Sequence, residues 1–411
     1  MGREGRGDTE PHEGRPYVLH GSDARRVFEQ MLVKVDLSRS LQSSMNDTGD
    51  ECPPLPHPLG MCKERVAAFG YPCEEHMVTT EDGYILSLKR IPYGLSDDGN
   101  STENTRQPVL LFHGLMVDDG GFDVWIANCR GTNSSRGHTS LSPNDAAYWD
   151  WTWDDLVAYD LPAVLKFVYD HTGGQRVHYV GHSLGTLIML ASFSEHRLLH
   201  IVRSAVLLCP IAYLNRMKSK LALLGAHIFL GETLHLLGFH EFKPLGQVAR
   251  EVLSQICSDP EIDCYDLFTA VMGPDCCLNA STTCIFLQHG PQSTSVKNMI
   301  HMSQMVRKRG VRKYDYGNEK ENMKHYNLSR PPLYNLSDIP THVPLFLTHG
   351  GQDFLGDLPD TRHLLRTLVR RHDSDNIEVL YVPDYAHGDF VMGYNAPQLI
   401  YKPMVEFFKR H

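Results

Sequence analysis

The chain has 411 residues, of which 42% are hydrophobic and 21% charged, enough apolar material for a large globular core. Its formal net charge is −10, which argues against nucleic acid or an anionic membrane surface as the main partner and leaves a neutral ligand open. No run of 18 apolar residues occurs, so no transmembrane segment is predicted.

In chain order, residues 1–50 are polar and charged, with one short stretch at Val27–Val35 compatible with a helix. They read as disordered or as an atypical leader. The opening MGREGRGDTEPHEG has no apolar core of the kind a signal peptide carries. From about residue 51 the pattern changes. His76–Thr80 and Gly83–Arg90 read as two strands around a turn at Glu81-Asp82-Gly83. Pro108–His113 is a continuous apolar run of buried-strand type, and Phe122–Ala127 a second candidate strand. Trp153–Tyr169 reads as a helix opened by Asp154 and Asp155 and interrupted at Pro162. A strand at Val177–Val180, a helix at Thr186–Phe193 and a strand at Ala205–Cys209 follow.

From about Ile211 to Arg330 the alternation stops. This stretch is rich in Leu, Met and His, and holds Cys257, Cys264, Cys276, Cys277 and Cys284. Its most apolar part, Leu221–Phe239, contains two His and one Glu and reads as a helix or helix pair. Alternation resumes with a strand at Val343–Leu347, a helix at Asp360–Arg371, a strand at Ile377–Val382 and a helix at Ala396–Lys409. Strands alternating with helices imply an α/β fold, a mostly parallel sheet with helices on both faces. The expected layout is a core of residues 51–210 and 331–411, with a helical cap or lid inserted at 211–330.

The ten cysteines do not show the paired CxxC spacing of a zinc site, so no structural metal is expected. Buried thiols and disulfides both remain open. Six N-x-[ST] sequons, at Asn46, Asn100, Asn133, Asn279, Asn327 and Asn335, favour an oxidising, glycosylating compartment.

The central chemical signal is Gly181-His182-Ser183-Leu184-Gly185, between a strand-like RVHYV and a helix-like TLIMLASF. A strand–turn–helix elbow of this form presents a serine as nucleophile. The hydroxyl then needs a base, and the base an acidic partner, in the chain order Ser, Asp, His. Asp353 follows the strand Val343–Leu347 in a Gly-containing loop. Asp357 and Asp360 are rivals nearer the next helix, and Asp360 resembles an N-cap. His387 occupies the matching loop after Ile377–Val382, while His182, next to the serine on a tight turn, suits a supporting role. An oxyanion hole would draw on the N–H of Leu184 and on that of Leu115, in the loop after PVLLFH.

Several stretches resemble the acid lipase family, which includes gastric, lysosomal and plant triacylglycerol lipases. They are GYPCEEHMVTTEDGYILSLKRIP, VLLFHGL, FDVWIANCRGT, HTSLSPNDAAYWDWTWDDLVAYDLPA, HYVGHSLGT, LFLTHGGQDFLGD and YAHGDF. The similarity runs from about residue 58 to the end and is strongest to the plant branch. It implies an α/β-hydrolase core with a cap, Ser183, Asp353 and His387 as catalytic triad, and hydrolysis of triacylglycerols or related fatty esters at a lipid–water interface. It also implies no cofactor, and a secreted, vacuolar or lysosomal setting. One departure stands out. Where the family has a longer stretch with a helix between HGL and FDVW, only Met116–Gly121 remain. So short a link predicts a hairpin or a kinked continuation rather than a helical crossover between parallel strands. A distorted oxyanion hole at Leu115 is its expected consequence, with a catalytically impaired, lipid-binding relative as the alternative function.

Overall fold

A computed structural model describes residues 62, 66–95, 106–112, 121–244, 267–278 and 292–411. Leu115 and the stretch Val27–Val35 lie outside these described residues. So do Cys52, Cys257, Cys264 and Cys284 and three sequons, at Asn46, Asn100 and Asn279.

The described chain runs β1 (Glu74–Thr79), β2 (Tyr84–Ile91), β3 (Pro108–Phe112), β4 (Asp123–Ala127), β5 (Gly137–His138) and α1 (Leu161–His171). It continues with β6 (Val177–His182), α2 (Leu184–Ser194) and β7 (Val202–Leu208). After a long insertion come β10 (Leu345–Gly350), α8 (Leu358–Val369), β11 (Ile377–Val382), α9 (Asp389–Met392) and α10 (Lys402–Arg410), numbered to follow the inserted elements. Those are α3 (Lys220–His227), α4 (Leu230–Leu236), β8 (Glu241–Phe242), α5 (Leu267–Met272), β9 (Thr294–Ser295), α6 (Val296–Arg307) and α7 (Glu319–Tyr326). Leu221–Phe239 is thus a helix pair, and β8 and β9 form a small antiparallel sheet of their own.

The main sheet has the order β1-β2-β4-β3-β6-β7-β10-β11, with β5 attached to β2. From β4 to β11 every pair is parallel, and β1 and β2 add antiparallel pairs at one edge. Alternation along the strands explains the layers. Leu110, Phe112, Trp125, Tyr179, Ala205, Leu207, Leu345 and Leu347 pack on one face with residues of α1, α2 and α8. Val109, Leu111, Val124, Val180, Val206, Leu208 and Phe346 pack on the other with Phe390, Met404, Phe407 and Phe408. A strand buried on both sides has to be apolar throughout, hence PVLLF.

Three sequence expectations are corrected. First, β3 and β4 are neither a hairpin nor one bent strand; they are adjacent and parallel, in register from Pro108↔Asp123 to Phe112↔Ala127. The return path along a five-residue strand is about 17 Å. The ten connecting residues, 113–122, can span about 33 Å when extended, so parallel pairing needs no intervening helix. Second, the interruption at Pro162 is a local distortion and not a break: helical backbone runs on from Trp153 to His171, and the turn just before the proline, Leu156–Asp160, is π-helical. Third, the N-cap of α8 is Asp357, whose side chain accepts the Asp360 N–H. The Asp360 carboxylate instead accepts the N–H of Arg216 at 2.8 Å.

The Cys-Arg-Gly stretch after β4 serves the fold. Arg130 is buried, bonds Asp160 and Asp82, and lies 3.8 Å from the centre of the Tyr84 ring. Cys62 and Cys73 form a disulfide, as do the neighbours Cys276 and Cys277, while Cys129 and Cys209 are buried thiols.

Candidate active site

Ser183 stands between β6 and α2 with φ 53° and ψ −115°, a strained conformation for a residue with a side chain. The turn is fixed on both sides. The Ser183 N–H donates to Leu208 O at 3.1 Å, and its own carbonyl accepts the Thr186 N–H at 2.9 Å and the Thr186 hydroxyl at 2.6 Å. Close passage of α2 over β3 explains the second glycine of the motif, since a Cβ on Gly185 would lie 2.9 Å from Phe112 O. Leu184 opens α2, so its N–H falls in the first turn, where helical amides lack intrahelical acceptors.

Asp353 and His387 extend from the ends of β10 and β11. These strands pair in register from Leu345↔Ile377 to Gly350↔Val382, which brings their following loops together. Two further bonds zip the loops, from Gly351 N–H to Val382 O and from Gln352 N–H to Tyr385 O, both 3.0 Å. His387 Nδ1 then meets Asp353 Oδ2 at 2.8 Å, with each residue only 1% exposed. The other carboxylate oxygen of Asp353 accepts the N–H groups of Leu355 and Gly356, at 2.9 and 2.8 Å. An imidazole that donates from Nδ1 keeps its lone pair on Nε2. His387 Nε2 is buried and makes no hydrogen bond among the described residues, Ser183 Oγ included. Such serine–histidine contacts often tighten only with substrate in place.

The three residues singled out from sequence are therefore brought to the carboxyl edge of one sheet, and Leu184 is beside them. The Nε2 of His182 lies 3.0 Å from the His387 carbonyl oxygen, joining the elbow to the loop after β11. Cys209 packs below, its thiol 3.5 Å from the same oxygen and its ionisation pushed up by burial. Sequence reasoning missed Asp389, two residues after His387. It is fully buried, and its carboxylate accepts the Ala386 N–H at 2.7 Å. Burial raises its pKa, and the backbone N–H groups of Ala386, Cys276 and Cys277 oppose that rise.

An elbow serine, a late-loop carboxylate and a late-loop histidine at one edge of the sheet make a constellation suited to nucleophilic acyl transfer. The profile of the alpha/beta hydrolase family matches residues 109–396, and that of the partial alpha/beta-hydrolase lipase region matches residues 62–128. Triacylglycerol lipase 2 of Arabidopsis thaliana is 47% identical over 369 residues, covering 85% of this chain and 88% of that protein. The human lysosomal acid lipase/cholesteryl ester hydrolase is 33% identical over 375 residues, 85% and 90% of the two chains. Human gastric triacylglycerol lipase is 33% identical over 366 residues, 83% and 89%. A solved structure described as a lipase in its open form aligns with TM-score 0.50 and 14% identity over 82% of this chain and 98% of that one, a likeness of fold. The chain belongs to the acid lipase family of α/β hydrolases. It is an enzyme, a carboxylic-ester hydrolase of the lipase type.

Proposed function

We propose that this enzyme hydrolyses fatty-acid esters of neutral lipids, triacylglycerols foremost, through an acyl-enzyme on Ser183. The observation that carries the reading is the Asp353–His387 bond of 2.8 Å at the sheet edge that also bears the Ser183 elbow. Ser183 Oγ attacks the ester carbonyl carbon while its proton passes to His387 Nε2. Asp353 holds the imidazole and stabilises its charge. The tetrahedral oxyanion faces the Leu184 N–H, with the Leu115 N–H as the second donor. Collapse expels the glycerol oxygen, which takes the proton from His387. Water then gives a proton to His387 and attacks the acyl carbon, and Ser183 leaves with that proton, releasing the fatty acid.

Neutral lipid is favoured over soluble esters by the relatives' names and by the inserted segment. Residues 211–330 act as the cap over the site in this reading, and Leu236, Leu237 and Phe239 are 74, 42 and 40% exposed on it. Apolar surface of that kind suits a lipid–water interface. The Cys62–Cys73 disulfide and the exposed sequons Asn133, Asn327 and Asn335 support a secreted, vacuolar or lysosomal setting. No described helix is long and apolar enough to cross a membrane.

The test combines a fluorophosphonate probe with titration of tributyrin hydrolysis. Ser183→Ala should lose the label and about 10⁶-fold in kcat. Wild-type rates should rise above the solubility limit of the substrate. Label retained by Ser183→Ala would refute the nucleophile; rates that fall above the limit would refute the insoluble substrate.

A further inference from the structure

The reaction leaves the buried carboxylate of Asp389 without a task. Besides Ala386 N–H, it accepts the N–H groups of Cys276, at 3.4 Å, and Cys277, at 3.3 Å. Among the described residues it has no cationic partner. Its compensation is backbone N–H alone, drawn from two segments, the base loop and the turn that follows α5.

The end of α5 and the residue after it touch the acid and base loops. The carbonyl of Met272, last residue of α5, accepts two hydrogen bonds. One comes from the N–H of His387 at 3.1 Å, the other from the N–H of Phe354, next to Asp353, at 3.3 Å. Gly273 follows with φ +99°. It lies against the backbone of Gln352, where a Cβ would collide with the carbonyl oxygen. Cys277 O accepts the Tyr394 N–H at 2.8 Å, and Asn395 Nδ2 reaches Cys277 Sγ at 3.5 Å. The backbone of His387 is thus held at both ends, through its N–H by Met272 and through its carbonyl by His182.

We infer that Asp389 is a positioning residue for the reaction: by anchoring the turn Met272–Cys277 to the base loop, it sets where His387 stands relative to Ser183. The inference rests on the triad reading above. Asp389 touches neither substrate nor reacting atoms; it acts through the turn and the Met272 carbonyl. Two of its acceptor contacts reach residues more than a hundred positions away, so they hold the inserted segment and the catalytic loops as one unit.

Asp389→Asn tests this, because the amide keeps the shape but turns a donor toward backbone donors. Asn395→Ala loosens the same turn from its partly exposed side and guards against loss of folding. Both are read on the folded, full-length enzyme by kcat and KM on tributyrin, by the pH–rate profile, and by the bimolecular rate of fluorophosphonate labelling. Misplacing a reacting group by about 1 Å costs on the order of 10²-fold. We expect kcat and the labelling rate to fall about 10- to 100-fold in Asp389→Asn and less in Asn395→Ala. KM should stay within about twofold in both, and the acidic limb of the profile should move. Unchanged kcat and labelling rate in both variants, or a change confined to KM or to melting temperature, would overturn the inference. His387→Ala separates the two readings. If it labels as wild type does, the triad fails; if it is dead while Asp389→Asn is normal, only the anchor fails.

Discussion

Asp353 spends both carboxylate oxygens, one on His387 and one on the Leu355 and Gly356 amides, so it is fixed in rotation. In Asp353→Asn, the amide nitrogen competes for the place of the acceptor oxygen. His387 would then present the wrong tautomer to Ser183. We expect kcat to fall about 10⁴-fold with KM little changed. A loss below tenfold, measured on tributyrin, would point to another carboxylate as the partner. Ser183, Asp353 and His387 were legible because each follows a strand whose apolar run is plain in sequence. Asp389 was not, since the amides it binds at Cys276 and Cys277 are remote in the chain. The cap of α8 was misplaced at Asp360 for a local reason. The helix reading began after Pro359, yet proline is accommodated in the first turn, so α8 starts at Leu358 and its cap is one residue earlier.

Among the elements, the end of α4 and the turn after it carry the apolar surface that the proposed substrate class requires. Replacing Leu236, Leu237 and Phe239 together by serine removes it without touching the sheet. Hydrolysis of emulsified triolein should drop about tenfold or more, the equivalent of losing roughly one leucine's worth of burial at the interface. Hydrolysis of soluble p-nitrophenyl acetate should stay unchanged. Equal loss on both substrates would show that these side chains support the fold instead. The helical character of Leu221–Phe239 was legible, but one helix and a pair were not told apart; the break falls at Phe229, in left-handed backbone between α3 and α4. The two-residue strands β8 and β9 were not legible; two residues carry no periodicity, and their pairing joins Glu241 to Ser295 across the insertion. The parallel placement of β4 beside β3 was obscured by counting only Met116–Gly121, when all ten residues of 113–122 serve as link.

Across the whole molecule, buried ionisable groups oppose one another in acid. Burial lowers His178 and His301 to about 3 and raises Asp154 to about 6. Below about pH 6.5 the unfolded chain takes protons that the two folded histidines refuse, so their contribution to stability declines as pH falls toward 3. Asp154 has the reverse sign. Folded, it binds its proton more tightly than unfolded, so the stability linked to it is present at low pH and is lost as pH rises from about 4 to about 6. Its carboxylate bonds Tyr314 N–H at 2.8 Å and Tyr334 Oη at 2.9 Å, tying the core to the far end of the insertion. An asparagine can serve both partners without charge. The melting temperature of Asp154→Asn relative to wild type should therefore climb by a few degrees between pH 4 and pH 7. A difference that is flat across this range would show that Asp154 does not titrate there.

The ten-residue link between β3 and β4 bears also on how the chain closes its sheet. Bringing two strands together removes freedom from the chain between them, by an amount that grows as about (3/2)RT ln n for n intervening residues. Between β7 and β10 lie residues 209–344, so that neighbouring parallel pair closes a loop of more than a hundred residues. The β3–β4 pair closes with an entropic cost lower by about 2 kcal/mol on that scale. Contacts of short sequence separation form sooner than distant ones. The abbreviated link thus makes β3 and β4 an early, local seed for the half of the sheet that carries the serine, ahead of the long-range closure that delivers the acid and the base.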